Sequence, residues 1–419
     1  MMEIISVIEH STVPIVEKRS KGQKSLTPVH AAALAKFEKK LPLKTFSWGH
    51  RTIKFSQYCG VISLGNITLE VLPKIYGKET EPGVSRKALI NMLLKTRKLK
   101  SFRGGSSSIG IQRNNLLDIF ILYFCELVHS EIRQGMIHQY VQRTENLHVL
   151  KGRLLIEKQL RYNAAHRDRL YCQYDEFKAD NMHNQIIKSV LNSMLTLTSG
   201  IATRKKVREL LMHFADIQDI NVDLNMIEQL YLDRSSQRYK PIFDQCRLFV
   251  QGLYPDVVAG HHTCISLLFD MNRLFESYVA HIMKKVALKQ GKQMREQGPR
   301  KFMAFRSDNN EQAFMMKPDM VFIDPETGPF AIMDTKWKLL DDREKKLGIS
   351  QNDMYQIAAY ASRYNIKNLS LVYPYQQYLT SPLKFSLQRT QSTIKIIPVD
   401  ISATESFQIQ SIMHTNMDF

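Results

Sequence analysis

Two short acidic motifs on either side of a turn constrain this chain more than any other feature. Lys317-Pro318-Asp319 lies ahead of Asp324-Pro325-Glu326-Thr327-Gly328, and Asp334-Thr335-Lys336 lies behind it. Phe314 to Ile323 is rich in apolar residues and reads as one strand, and Pro329 to Trp337 reads as a second. The link between them has turn chemistry, with Pro early and Gly late. Side chains two apart on a strand share a face. Asp334 and Lys336 therefore point one way, while Met333 and Thr335 point the other. If the strands pair as a hairpin, Asp319 comes alongside Asp334, and two carboxylates face one ammonium.

That grouping has a definite chemistry. Paired carboxylates suit a hard divalent cation such as Mg2+ (or Mn2+), which takes one or two of them and keeps several waters. A phosphodiester repels hydroxide and has a poor leaving group. A bound cation lowers the pKa of water, polarises the phosphoryl oxygen and steadies the departing one. A neighbouring lysine orients or deprotonates the water and offsets transition-state charge. Asp-x-Lys by itself occurs in many surface strands. Its weight here comes from the upstream Pro-Asp, the intervening hairpin and a suitable helix downstream.

That helix is predicted to begin near Ser350, where Ser350 and Asp353 fit a Ser-x-x-acid start. Met354, Ile357, Ala358 and Ala361 are apolar at helical spacing, and Gln356 and Tyr360, four apart, lie on one face. Leu369 to Tyr373 reads as a following strand. Upstream, Leu267 to Lys285 reads as a helix carrying Glu276. This order, over roughly residues 265–375, resembles the core of PD-(D/E)xK nucleases, in particular their RecB-like branch with Gln-x-x-x-Tyr. The resemblance implies that Asp319, Asp334 and Glu276 bind metal, and that Lys336 positions or activates water. It implies that Gln356 orients the lysine or the phosphate, with Tyr360 completing the motif.

A wider likeness spans most of the chain. Leu69-Glu70-Val71-Leu72-Pro73-Lys74-Ile75 stands near the start, and Glu145-Asn146-Leu147 and Leu150-Lys151-Gly152-Arg153-Leu154 in the middle. Tyr174-Asp175-Glu176-Phe177 follows, with Asp180 and Asn184. Met271-Asn272-Arg273-Leu274-Phe275-Glu276 and Asp353-Met354-Tyr355-Gln356 complete the pattern. In combination these residues resemble the McrC family, the nuclease subunits of McrBC modification-dependent (type IV) restriction systems. What the resemblance implies is an endonuclease acting on double-stranded DNA with an McrB-like AAA+ GTPase ring.

Composition agrees with a polyanionic partner. The chain has 419 residues and a formal net charge of +18, room for two or three domains with ample core. Seven Lys or Arg and no acid lie between Val84 and Gly110. Another seven, against Glu296 alone, lie between Met283 and Lys301. The second cluster adjoins the proposed core and suits phosphate contacts, although a basic helix face is commonly just solvated. The first suits an acidic protein surface as well. The five cysteines, Cys59, Cys125, Cys172, Cys246 and Cys264, show no Cys-x-x-Cys spacing. Neither a disulfide framework nor a structural zinc site is expected, and His261-His262 lack further ligand spacing. Met1 to Val13 has no sustained apolar run and carries Glu3 and Glu9, so no leader is expected. No apolar stretch is long enough to span a membrane. A cytoplasmic protein is the expectation.

The fold class expected is α+β multidomain. Residues 1–105 form a β-rich module with a hairpin around Gly65-Asn66, assigned to partner docking. Gly104 to Ser108 is a flexible joint, and it lacks the Gly-Lys-Ser/Thr ending of a nucleotide-binding loop. Residues 106–260 are mainly helical, notably Leu116 to Ile132 and Asn184 to Leu197. Residues 261–419 are the α/β PD-(D/E)xK domain, with Lys384 to Leu387 and Thr393 to Pro398 as edge strands. Two other readings stay open: a free-standing RecB-like nuclease in repair or defence, and a non-catalytic DNA-binding assembly subunit. The intact Asp319, Asp334 and Lys336 set argues against the second.

Overall fold

The computed structural model describes residues 3–20, 22–39, 41–42, 44–64, 67–96, 114–166, 168–254, 264–340, 348–376, 379–388 and 391–414. The Gly65-Asn66 turn, the Gly104–Ser108 joint, His261-His262 and most of the first basic cluster lie outside them. The chain divides into two compact units that do not follow chain order. Leu117–Ile265 makes up one, and Met2–Ser101 joins Ser266–Phe419 in the other.

In the first unit, the helices Met182–Leu197, Ile201–Met212 and Lys240–Gly252 pack together, and Leu116–Ile132 falls where the apolar run predicts it. This middle region is less helical than expected. Gln139–Leu147 pairs antiparallel with Leu170–Lys178, and Arg153–Leu154 adds a third strand. These strands are mostly half-exposed, so they lack the strongly apolar alternation that marks a strand in sequence. Several residues of the middle motifs hold the backbone in place. Gly152 has φ +68°, and a Cβ there would lie 2.4 Å from the Gln173 carbonyl oxygen, so only glycine fits. Asn181 caps Met182–Leu197 by accepting from the Asn184 amide. Asn184 Nδ2 donates to the carbonyls of Ile137 and Ala179, 2.7 Å each. Asp180 accepts from the Gln218 amide and Gln185.

In the second unit, the N-terminal strand Glu3–Ile8 runs parallel to Ile67–Leu72, which pairs antiparallel with Tyr58–Leu64 as the hairpin pattern predicts. Cys264–Asp270 borders Tyr58–Leu64 in the same sheet. The two backbones approach closely there: a Cβ on Gly60 would sit 1.9 Å from the Leu267 carbonyl oxygen. All of Ile67–Leu72 is buried. Glu70 accepts from Ser6 Oγ at 2.6 Å, Arg86 Nη2 at 2.7 Å and the Leu116 amide at 2.5 Å. Arg86, counted in the first basic cluster, is thus a buried structural partner and offers no surface charge.

The second sheet of this unit has six strands: Gln293–Glu296, Met320–Asp324, Gly328–Thr335, Asn368–Pro374, Thr393–Val399 and Leu383–Ser386, in that order. Met320–Asp324 and Gly328–Thr335 form the antiparallel hairpin, while Gly328–Thr335, Asn368–Pro374 and Thr393–Val399 are mutually parallel. The crossover between the first two parallel strands is the helix Gln351–Tyr364, as parallel pairing requires. Ile357, Tyr360 and Ala361 of that helix pack with Val321, Ile332, Leu369, Leu371, Ile394 and Ile396. No described helix is long and apolar enough to cross a membrane.

Several boundaries differ from expectation. Phe314 to Ile323 is two strands, not one: Gln312–Met316 pairs with Lys301–Phe305 in a separate ribbon, and Met320–Asp324 joins the main sheet. Pro318 separates them, because it has no N–H to donate and restricts Lys317 before it. The helix expected from Leu267 runs over Met271–Lys289, capped by Asp270, whose side chain accepts from the Asn272 amide. Leu267 to Asp270 is strand. Of the two strands expected at the edge, Leu383–Ser386 is one and Thr393–Val399 is interior, paired on both sides.

Candidate active site

The hairpin register sets the acidic pair. Met320 lies opposite Met333, so Asp319 and Asp334 are the next facing positions, where the pairing ends. Asp319 Oδ2 accepts two hydrogen bonds from one residue, the Thr335 amide and Thr335 Oγ1, both at 2.8 Å. The middle residue of Asp-x-Lys thus holds the upstream acid. Asp334 shares a sheet face with Ile332, the face covered by Gln351–Tyr364, and is 2 % exposed. Its Oδ2 pairs with Lys336 Nζ at 2.6 Å, so the ammonium offsets part of the buried charge. Burial and the Asp319 charge push the Asp334 carboxyl up to about 6, against the pull of Lys336.

Lys336 is held from the helix. Its Nζ donates to Gln356 Oε1 at 2.8 Å, Gln356 Nε2 donates to Tyr360 Oη at 3.1 Å, and Tyr360 Oη–H donates to the Lys317 carbonyl at 3.2 Å. The chain of bonds begins at Asp334 and closes on the residue before Pro318-Asp319. Burial disfavours the ammonium, but Asp334, Asp353 and Asp319 outweigh it and hold its pKa above the ordinary lysine value. At neutral pH the group is a cation. The helix starts at Ser350, whose side chain accepts from the Asp353 amide, so the predicted cap places Gln356 and Tyr360 in the correct turns.

Glu276 is half-buried on Met271–Lys289 and accepts from Gln297 Nε2. Burial and then the charge of Asp319, with a smaller contribution from Asp334, push its carboxyl up to about 7. The three acids are therefore electrostatic neighbours. Yet among the described residues no three His, Cys, Asp or Glu side chains stand together as a ready metal-binding group. The donor set fits a hard cation all the same. Mg2+ needs only one or two carboxylates and keeps its own waters, and Asp334 is a buried carboxylate whose charge is disfavoured by burial and by Asp319 until a cation offsets it.

Sequence reasoning missed some partners and misjudged one. Strand alternation continued past Lys336 would put Lys338 on the Asp334 face as a solvated bystander. It instead pairs with the buried Asp353, which also accepts from Tyr373 Oη at 3.0 Å, and it donates to Ser350 Oγ at 3.2 Å. The strand has ended at Thr335, so strand alternation no longer governs residue 338. Trp337 is buried against Phe275, with ring centroids 5.2 Å apart. In the second basic cluster, Lys292 pairs with Asp324, while Arg295 and Arg300 are exposed.

Comparison with known proteins agrees with this architecture. The chain is 26% identical over 155 residues to the type IV methyl-directed restriction enzyme EcoKMcrBC of Escherichia coli (strain K12), a match covering 36% of this chain and 44% of that protein. The chain thus spans less than half the length of the curated relative it matches. A chain of the refined half-complex from the tetradecameric assembly of Thermococcus gammatolerans McrB AAA+ hexamers with bound McrC has the same fold. The TM-score is 0.78 at 19% identity, covering 98% of this chain and 99% of that one. A chain of the cryo-EM structure of the Thermococcus gammatolerans McrBC complex matches with TM-score 0.54 at 23% identity, over 68% and 88%. Residues 53–374 match the family described as McrBC 5-methylcytosine restriction system component. That match takes in the Asp319 and Asp334 hairpin and the Gln356 helix, and the chain belongs to the family of McrBC restriction system components.

Proposed function

We propose that this chain is the nuclease subunit of a modification-dependent restriction system, a PD-(D/E)xK endonuclease that hydrolyses DNA phosphodiesters with Mg2+ or Mn2+. The observation that carries the reading is the buried Asp334 carboxylate. It faces Asp319 and pairs with Lys336, and burial beside a second carboxylate leaves its charge only partly offset. Such an arrangement costs folding stability and is useful when a cation and a phosphate arrive. Asp319, fixed by Thr335, and Asp334 would hold the metal, with Glu276 beside them directly or through water. Bound there, a divalent ion would supply Lewis acidity and an acidified water. Lys336, steered by Gln356 and Tyr360, would orient the attacking water and offset charge on the phosphoryl oxygens. Burial of Asp334 keeps the local dielectric low, which strengthens each of these interactions.

Family membership, and a structural neighbour solved with McrB hexamers, support an McrB-like AAA+ GTPase ring as partner and modified double-stranded DNA as substrate. Residues 1–105 remain our candidate for docking that ring. Their strands and the Pro82–Lys95 helix share a compact unit with the site, so surface substitution tests this better than truncation. The deciding experiment is cleavage of methylated and unmethylated plasmid by the full chain, with and without the GTPase, GTP and Mg2+. Cutting only with all three, and only of methylated DNA, is expected. Cutting without any GTPase would favour a free-standing nuclease. No cutting, with a partner shown to bind, would favour an assembly subunit.

A further inference from the structure

The indole of Trp337 ties the N-terminal sheet to the backbone that carries Lys336. Trp337 Nε1–H lies between both carboxylate oxygens of Glu9, at 3.1 and 3.0 Å. Glu9 follows the strand Glu3–Ile8 and is 2 % exposed. It is itself anchored twice: its amide donates to the Leu72 carbonyl at 2.9 Å, and its Oε1 accepts from the Lys74 amide at 2.8 Å. A buried carboxylate is a poor stabiliser. What it supplies here is a directional acceptor rooted in a neighbouring sheet.

The other end of the link is the turn after the Asp334 strand. The Lys336 amide donates to the Val372 carbonyl at 2.8 Å, and the Lys338 amide donates back to the Lys336 carbonyl at 3.1 Å. The second bond closes a three-residue turn centred on Trp337. With the indole clamped, the course of the chain on leaving Lys336 is set by one buried side chain. The same ring rests on Phe275, the residue before Glu276. One side chain therefore abuts both the carrier of Lys336 and the helix segment bearing Glu276.

We infer that Trp337, clamped by Glu9, is a positioning residue that fixes the backbone of Lys336 and, across Phe275, the helix segment of Glu276. The inference rests on the nuclease reading for its consequence in rate, but the clamp is measurable without it. Trp337→Phe keeps an aromatic ring but removes the N–H together with the pyrrole half of the indole, so the Glu9 variants, which leave the indole whole, isolate the hydrogen bond. Glu9→Gln keeps a carbonyl acceptor, whereas Glu9→Val keeps none. We test them as full chains with the GTPase partner, GTP and Mg2+ on methylated plasmid. Trp337→Phe and Glu9→Val should lower the maximal cleavage rate by about 10- to 100-fold, the range for misplacement of a catalytic group. The half-saturating DNA concentration should not move, and Glu9→Gln should recover most of the rate.

A parental maximal rate in Trp337→Phe overturns the inference. So does a loss that appears as weaker DNA saturation, or one fully accounted for by a smaller folded fraction. The second readout needs no activity. The chain has two tryptophans, so in a Trp48→Phe background emission reports Trp337 alone. Glu9→Val should shift its maximum and Glu9→Gln should shift it less; an unmoved maximum in Glu9→Val overturns the clamp itself. If Asp334→Asn cuts as well as the parent, the nuclease reading fails, while the emission result still decides whether the clamp exists.

Discussion

Replacing Asp334 with asparagine should make the metal-free protein more stable while ending its chemistry. The side chain is 2 % exposed and faces Asp319, and its carboxyl is raised from 3.8 to about 6 by burial and that neighbouring charge. A rise of that size corresponds to about 3 kcal/mol against the charged form, at about 1.4 kcal/mol per pH unit. Asparagine escapes this cost, which is already net of the Lys336 attraction, but its buried amide N–H2 needs acceptors of its own, which takes back part of the gain. We expect a net gain of about 1–2 kcal/mol, or roughly 2–8 °C in melting temperature for a unit of this size. The sign follows from proton binding. The folded carboxyl holds its proton more tightly than the unfolded one, so in the parent this contribution to stability declines as pH rises from about 4 to about 6. The variant's advantage should be small near the lower end of that window and complete above the upper end. Thermal melting in chelator at about pH 4.5 and about pH 8 measures it. Added Mg2+ should then stabilise the parent in a saturable way and leave Asp334→Asn unmoved. A variant that melts below the parent in chelator at the higher pH, or gains as much from Mg2+, would refute the reasoning.

Other substitutions divide the roles further. Lys336→Arg keeps the charge but replaces a compact ammonium with a planar fork that cannot deprotonate; cleavage should fall at least about tenfold, nearly as far as in Lys336→Ala, and near-parental rates would reduce Lys336 to a long-range charge. Lys338→Ala leaves the buried Asp353 without its ion partner and should cost about 1–2 kcal/mol, allowing for the partly open lysine. Despite burial, Lys338 and Ser350 hold the Asp353 carboxyl below its ordinary range. The deficit of Lys338→Ala in melting should therefore be full at neutral pH and shrink as pH falls through that range; a pH-independent deficit would count against the pairing. Charge reversal at the exposed Arg51 and Lys54 should weaken stimulation of the partner's GTPase several-fold without changing Mg2+-dependent melting, and an unchanged stimulation would move the docking site elsewhere.

The local geometry of the candidate site was readable from the chain alone because it depends on short-range spacing. Asp334 and Lys336 share a face through strand alternation, and Gln356 and Tyr360 share one through helical spacing. Ser350 marks the helix start with its own side chain. Pro-rich turn chemistry marks the hairpin, and the register then sets Asp319 opposite Asp334 without further information. Where short-range rules change within a segment, the reading slipped. Pro318 splits an apolar run into two strands, Leu267 to Asp270 is strand ahead of the helix, and Lys338 lies past the end of the alternation. Long-range partners were beyond reach. Nothing near Glu9 announces Trp337, and nothing near Glu70 announces Arg86 or the Leu116 amide. Such contacts join segments far apart in the chain, each satisfying a buried polar group that only the packed fold creates. The sequence by itself determined which side chains make up the candidate site. The tertiary structure decided what holds them, because a buried donor or acceptor takes whichever partner the fold brings within reach.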